Sequence, residues 1–265
     1  MSNKTIKLYQ VDAFTDKVFS GNPAAVCPLD GWLDDDIMQN IAQENNLAET
    51  VFYVKENDTY TIRWFTPTVE VDLCGHATLA AAFVLFHIEK YDGDVIHFHS
   101  PRSGPLSVKK EADSLILDFP ADIILPIELT PTLSEGFSTA PKAVYKGKTD
   151  YMFVFGDEDE ILDLKPNLNI IEQWPVRGVI VTSPGKKVDF VSRFFGPQSG
   201  VPEDPVTGSA HTTLTPYWSS VLGKDKLTAI QLSKRKGHLT CKNLGSRVEI
   251  SGQAKLYLQG EIYIE

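Results

Sequence analysis

The chain repeats itself once, and that duplication limits its fold more than any other feature of its 265 residues. Arg63-Trp64-Phe65-Thr66-Pro67 aligns with Arg193-Phe194-Phe195-Gly196-Pro197 at an offset of 130. Gly75-His76-Ala77 aligns with Gly208-Ser209-Ala210 at 133, and the same offset joins Gly104, Leu106 and Lys109 to Gly237, Leu239 and Lys242. It also joins Leu115, Leu117 and Ala121 to Val248, Ile250 and Ala254. One insertion of three residues, between Pro197 and Gly208, accounts for the change of offset. Solenoid units run to roughly 50 residues at most, so the repeat is too long for one. It reads instead as two pseudo-symmetric lobes: 1–122, to which the C-terminal strand crosses back, and 123–265. A site is expected in the cleft between them, since small ligands favour such junctions.

Within each half the pattern is α+β. KLYQVDAF alternates like a strand, and AETVFYV, YTIRWF, SLILDF, YMFVFG, GVIVTS, DFVSRFF, SRVEIS and KLYLQGEIYIE are rich in β-branched and aromatic residues. WLDDDIMQNIAQEN opens on acidic residues and places Leu33, Ile37, Ile41 and Ala42 on one face, which predicts an amphipathic helix. HATLAAAFVLFHIEK (76–90) is apolar nearly all round and predicts a buried helix, with a counterpart after Gly208. Each lobe then becomes a barrel-like, mostly antiparallel sheet wrapped around one central helix.

Several classes are set aside by composition. A formal charge of −10 opposes binding to nucleic acid, which needs clustered Lys and Arg; Lys234-Arg235-Lys236 is short and reads as a solvated turn. No stretch approaches the ~18 apolar residues of a membrane span. The N-terminus lacks a signal-peptide core, and three widely spaced cysteines make no disulfide framework. A cytoplasmic protein is expected. His97 and His99 share a strand face, but with no third ligand in view no metal is expected.

The chemistry is expected at the two helix starts. Each leaves backbone N–H groups without partners and carries the positive end of the helix dipole, and a glycine there lets a ligand approach. Gly75-His76 adds an imidazole; Thr207-Gly208-Ser209 adds hydroxyls. A duplicated pair beside His76 and Asp204 points to a site for a small anionic metabolite. Glu49, alone among apolar residues in LAETVFYV, reads as a partly buried carboxylate whose pKa burial would raise toward neutrality.

The segments VDAFTDKVFSGNPAAV, NLAETVFY, RWFTPTVEVDLCGHATLA and EDPVTGSAH resemble the phenazine biosynthesis PhzF-like family, which has the diaminopimelate epimerase-like fold. The similarity runs from Tyr9 to Ile264. It implies two pseudo-symmetric domains, no cofactor, a homodimer, and isomerisation by proton transfer. It assigns the acid/base role to Glu49, with Gly75, His76, Asp204 and Ser209 at the other family positions, and it places the turn at Asn22-Pro23 beside the cleft. Cys74 departs from the founding enzyme, so the natural substrate does not transfer with the mechanism.

Relatives of the same fold that racemise an α-carbon use two thiols. Cys74 occupies the first thiol position, but its counterpart at an offset of 133 is Thr207, a far weaker base. Glu49 corresponds to Val179, so the chemistry is asymmetric although the fold is duplicated. The expected activity is a cofactor-independent isomerase, with Glu49, His76 and Asp204 catalytic and Asn22, Gly75, Thr207, Gly208 and Ser209 binding substrate. A non-catalytic metabolite-binding protein is the alternative, and a thiol-dependent racemase a further one. Cys74 is left as either packing or a polar contact, and His211 as facing either the site or the core.

Overall fold

The computed structural model describes residues 4–264, which divide into two compact units. One holds the chain up to Asp118 and again from Ser251; the other is Phe119–Ile250.

In the first unit the strands are β1 (Lys4–Ala13), β2 (Asn22–Leu29), β3 (Glu49–Glu56), β4 (Thr59–Phe65), β5 (Glu70–Val71), β6 (Val95–Ser100), β7 (Gly104–Glu111) and β8 (Ser114–Pro120). Antiparallel β1 and β2 are followed by the parallel pair β2 and β3, with Ala24 opposite Glu49. A parallel pair needs a crossover, and α1 (Asp35–Asn45) supplies it. Asp35 and Asp36 suit its positive N-terminus, Met38 and Ala42 face the core, and Asn46 ends it in the left-handed conformation. β4 lies antiparallel to β3 and β5 and parallel to β6, and β7 follows antiparallel to β6.

The crossover from β5 to β6 is α2 (Gly75–Phe83), in which every residue from His76 to Ala82 is buried. It packs on β1, β2, β3 and β7. Ala77, Ala80, Ala81 and Ala82 keep its girth small, so strands can close round it, while Leu79 fills the core. The helix does not continue unchanged to residue 90 as the apolar run suggests. Val84–Ile88 is a π-helical turn, closed by Glu89 N–H donating to Val84 O five residues back at 2.9 Å. Val84, Leu85 and Phe86 remain buried through this wider turn. Asn22-Pro23 also departs from expectation: it begins β2, opposite Ala13 and Asp12, rather than forming a turn. Proline is tolerated there because the start of a strand can lack an N–H.

The second unit contains β9 (Leu125–Ile127), β10 (Ala143–Lys146), β11 (Asp150–Val154), β12 (Gly178–Pro184), β13 (Phe190–Gly196), β14 (Val201–Asp204), β15 (Lys226–Gln231), β16 (Gly237–Asn243) and most of β17 (Arg247–Gly252). β18 (Ala254–Ile264) belongs to the first unit, where it pairs antiparallel with β1 along its length. The second unit repeats the pairing of the first. β11 and β12 are parallel, β13 lies antiparallel to β12 and β14 and parallel to β15, and β16 follows antiparallel. Trp64 faces Val71 in one half and Phe194 faces Asp204 in the other, the register the sequence repeat requires. The three inserted residues fall where Pro197–Ser199 make a 3-10 turn that ends at Gly200 with φ 75°.

The short helices α3 (Pro131–Ser134), α4 (Glu158–Asp163) and α5 (Leu168–Ile171) lie in the second unit and were not legible in the sequence pattern. The long helix α6 (Ala210–Leu222) is the counterpart of α2. Pro216 inside it has no N–H to offer the carbonyl of Thr212, four residues back. That carbonyl instead accepts the Asp122 N–H at 3.1 Å, so the interruption leaves no orphan.

Candidate active site

In the first unit Glu49, Asn22, Cys74, Gly75 and His76 come together because three elements start side by side. β2 begins at Asn22, its parallel neighbour β3 begins at Glu49, and α2 begins at Gly75. Cys74 precedes the helix in extended conformation. Its carbonyl accepts both the Thr78 N–H at 3.1 Å and the Thr78 hydroxyl at 2.6 Å, which fixes the first turn.

His76 is the hub of this group and is only 5% exposed. Its Nε2 lies 3.0 Å from Glu49 Oε2. With the ring protonated the contact is an ion pair, and Oε2 is buried. On the other side of the ring, Nδ1 lies 3.2 Å from Asn22 Nδ2 and 3.4 Å from Cys74 Sγ. The ring's charge and the amide's orientation are therefore linked. A neutral ring accepts at Nδ1 from the amide N–H, whereas an imidazolium requires the amide turned to present its oxygen. Burial alone would depress the His76 pKa, but Cys74 and Glu49 outweigh it and hold the imidazole well above its ordinary value. Burial, reinforced by the Glu49 charge, pushes the Cys74 thiol up despite the pull of His76.

Glu49, Cys74 and His76 each offer one ligand atom within 4.8 Å of the others, so this group has the composition of a metal site. His97 and His99, the pair noted in the sequence, are exposed on β6.

In the second unit Asp204, Thr207, Gly208 and Ser209 form one tight loop between β14 and α6. The Thr207 hydroxyl donates to Asp204 Oδ2 at 2.5 Å. A fully buried Gln231 braces the loop from β15: its Oε1 accepts the Thr207 N–H at 2.8 Å and its Nε2 donates to the Asp204 carbonyl at 2.8 Å. Sequence reasoning missed Gln231, whose counterpart in the first half is the apolar Phe98, so the repeat gave no signal. His211 turns into the core. Its Nδ1–H donates to the Thr207 carbonyl at 2.9 Å, its Nε2 is buried with no hydrogen-bond partner among the described residues, and burial pushes its pKa down to about 4. Thr78 and His211 are equivalent by the repeat, and each holds the carbonyl that precedes its helix's glycine.

Arg177 is a further residue the sequence did not single out. Its Nη2 donates to Ser209 Oγ at 3.1 Å while its guanidinium grips Asp150 through two bonds of 2.9 and 2.5 Å. The equivalent helix starts thus carry opposite neighbours. His76 faces a carboxylate, and Ser209, at the matching position, faces a guanidinium.

A family model described as phenazine biosynthesis-like protein matches residues 11–260 of the chain. A Pseudomonas aeruginosa protein named an uncharacterized isomerase is 52% identical, over 98% of this chain and 99% of its own. The crystal structure of a phenazine biosynthesis PhzF family protein from Enterococcus faecalis superposes with a TM-score of 0.96 at 46% identity, covering 98% of this chain and all of that one. The structure of a protein described as a predicted epimerase from Pseudomonas aeruginosa shares the fold at a TM-score of 0.73 and 17% identity, over 97% and 99% of the two chains.

Proposed function

The chain belongs to the phenazine biosynthesis-like family and is an isomerase, and from that premise we propose that it moves a proton between two carbons of a small anionic amino or hydroxy acid without a cofactor. Glu49 is the group that takes the proton and gives it back. The observation that carries this reading is the Glu49 carboxylate itself, which is partly exposed and lies, through Oε2, 3.0 Å from an imidazole. The ring holds the carboxylate in place through Oε2 and leaves the second carboxylate oxygen for a substrate proton.

In the proposed cycle Glu49 removes a proton from an acidic carbon, and the electron pair left behind spreads into the conjugated system of the substrate. Glu49 then returns the same proton to a second carbon. No atom is gained or lost and no oxidant is needed. His76 steadies the carboxylate and the charge that develops beside it. Asp204, whose Oδ2 accepts from Thr207, takes hydrogen bonds from amino or hydroxyl groups of the substrate. Its anionic end is assigned to Gly208 and Ser209, because Arg177 supplies positive charge there whereas Glu49 supplies negative charge beside Gly75. A two-thiol racemase does not suit the chain, since the counterpart of Cys74 is Thr207 and its hydroxyl is bonded to Asp204.

The test is deuterium uptake at carbon when cyclic and open-chain amino and hydroxy acids are incubated with the protein in D₂O. Uptake by the wild type and its loss in Glu49→Gln, with ligand binding retained, is the expected result. Binding without exchange in the wild type would identify a metabolite-binding protein instead, and exchange by Glu49→Gln at the wild-type rate would remove Glu49 from the mechanism.

A further inference from the structure

We propose that Glu49, Cys74 and His76 bind a thiophilic divalent cation, of which Zn²⁺ is the type, and that its occupancy shuts off proton transfer. The shut-off rests on the role given to Glu49 above; the binding does not.

The donor set argues for such an ion. A carboxylate oxygen, a thiol sulfur and an imidazole nitrogen lie within 4.8 Å of one another, and thiolate with imidazole selects zinc-like metals over magnesium or calcium. Donors on one tetrahedral ion, with bonds of about 2.0–2.3 Å, stand roughly 3.3–3.7 Å apart. Here His76 Nε2 is 3.0 Å from Glu49 Oε2 and 4.0 Å from Cys74 Sγ, and Sγ lies nearer Nδ1, at 3.4 Å, so admitting the ion requires the Cys74 side chain to swing its sulfur round to the Nε2 side of the ring.

Charge argues the same way. One thiolate and one carboxylate neutralise a divalent cation, so a largely buried site carries no net charge. On binding, the Cys74 thiol and the Nε2–H of the imidazolium each lose a proton to solvent, and the freed lone pairs on sulfur and Nε2 form the metal bonds. The ring keeps its proton on Nδ1 and coordinates through Nε2. Asn22, 3.2 Å from Nδ1, accepts that proton once its amide turns, the outer hydrogen bond that orients a metal-binding histidine. Three protein donors leave a fourth position open to water. Cys27 and Cys241 belong to no such cluster among the described residues.

The full chain, stripped of metal with a chelator and dialysed, is titrated with Co²⁺ and followed by absorbance. The expected result is one equivalent bound, with a thiolate-to-cobalt charge-transfer band in the near ultraviolet that Zn²⁺ abolishes by displacement. Cys74→Ser loses the band while its circular dichroism is unchanged. Asn22→Ala, which retains all three donors, keeps the band with affinity lowered ~10–100-fold. No band at saturating cobalt, or a band undiminished in Cys74→Ser, overturns the site. If cobalt binds as described yet deuterium exchange proceeds at the metal-free rate, the metal site stands and the shut-off falls. Loss of exchange in metal-free Glu49→Gln tests the acid/base reading separately.

Discussion

Arg193 Nε donates to Glu203 Oε1 at 2.7 Å, and this is the bond that Arg63 makes to Glu70 at 2.7 Å in the other half of the chain. Seven residues separate the first pair and ten the second, so the three-residue insertion moved the glutamate along the sequence without moving it off its arginine. The repeat is thus preserved in ion-pair geometry as well as in strand pairing. Each arginine also lies over a phenylalanine, Phe65 or Phe195.

Arg193 also donates to the carbonyls of Ile161 and Leu164, which ties α4 to the sheet. Arg193→Met would leave Glu203 and two carbonyls without their donor. The pair is partly exposed, at 13% and 29%, so solvent relieves part of the loss. A cost of about 2–3 kcal/mol is expected. Urea denaturation of this variant and of Arg193→Met with Glu203→Gln checks it, the double variant recovering part of the loss.

Gln231→Leu should cost about 3 kcal/mol, since it leaves the buried Thr207 N–H and the Asp204 carbonyl unsatisfied at once. Gln231→Glu keeps an acceptor for Thr207 but sets a second acceptor against the Asp204 carbonyl, so it should not restore the wild type. Chemical denaturation of the two variants measures this. Equal stability of Gln231→Leu and the wild type would show that the loop does not depend on the brace.

Gly21 has φ 67°, and a Cβ there would come within 2.1 Å of the Ala13 carbonyl oxygen. Gly21→Ala cannot be accommodated without displacing the start of β2, where Asn22 supports His76. Backbone strain and overpacking together should cost about 3 kcal/mol. The effect should also reach the ring: the His76 resonances in a histidine-detected NMR spectrum should shift in this variant, while those of His211 stay in place.

His211 gives the stability a pH dependence of known sign. Its pKa is depressed to about 4 in the folded protein against an ordinary 6.5, by burial. The unfolded chain binds the extra proton, so this contribution is complete above pH 6.5 and is lost as pH falls toward 4. The full loss is about 3 kcal/mol. His211→Asn removes the titrating group while leaving an amide able to donate to the Thr207 carbonyl. The slope of unfolding free energy between pH 6.5 and 4 should therefore be shallower in the variant, as read from urea midpoints across that range.

The sequence by itself determined the duplication, the α+β class, the two buried helices behind Gly75 and Gly208, and the identity of most residues at their starts. Those features are written in local pattern: β-branched runs, an apolar stretch without a polar face, and matched blocks at a constant offset. Only the tertiary structure decided which side chains meet. Parallel pairing of β2 with β3 brings Asn22 and Glu49, 27 positions apart in the chain, to one helix start. Gln231 and Arg177 reach the loop at Thr207 and Ser209 from distant strands and connections. The turn of His211 into the core, the π-helical end of α2 and the contact of Cys74 with His76 were likewise beyond the pattern. Periodicity reports which face of an element is apolar, whereas contact between side chains depends on strand register and on backbone angles at single residues, which no local pattern encodes.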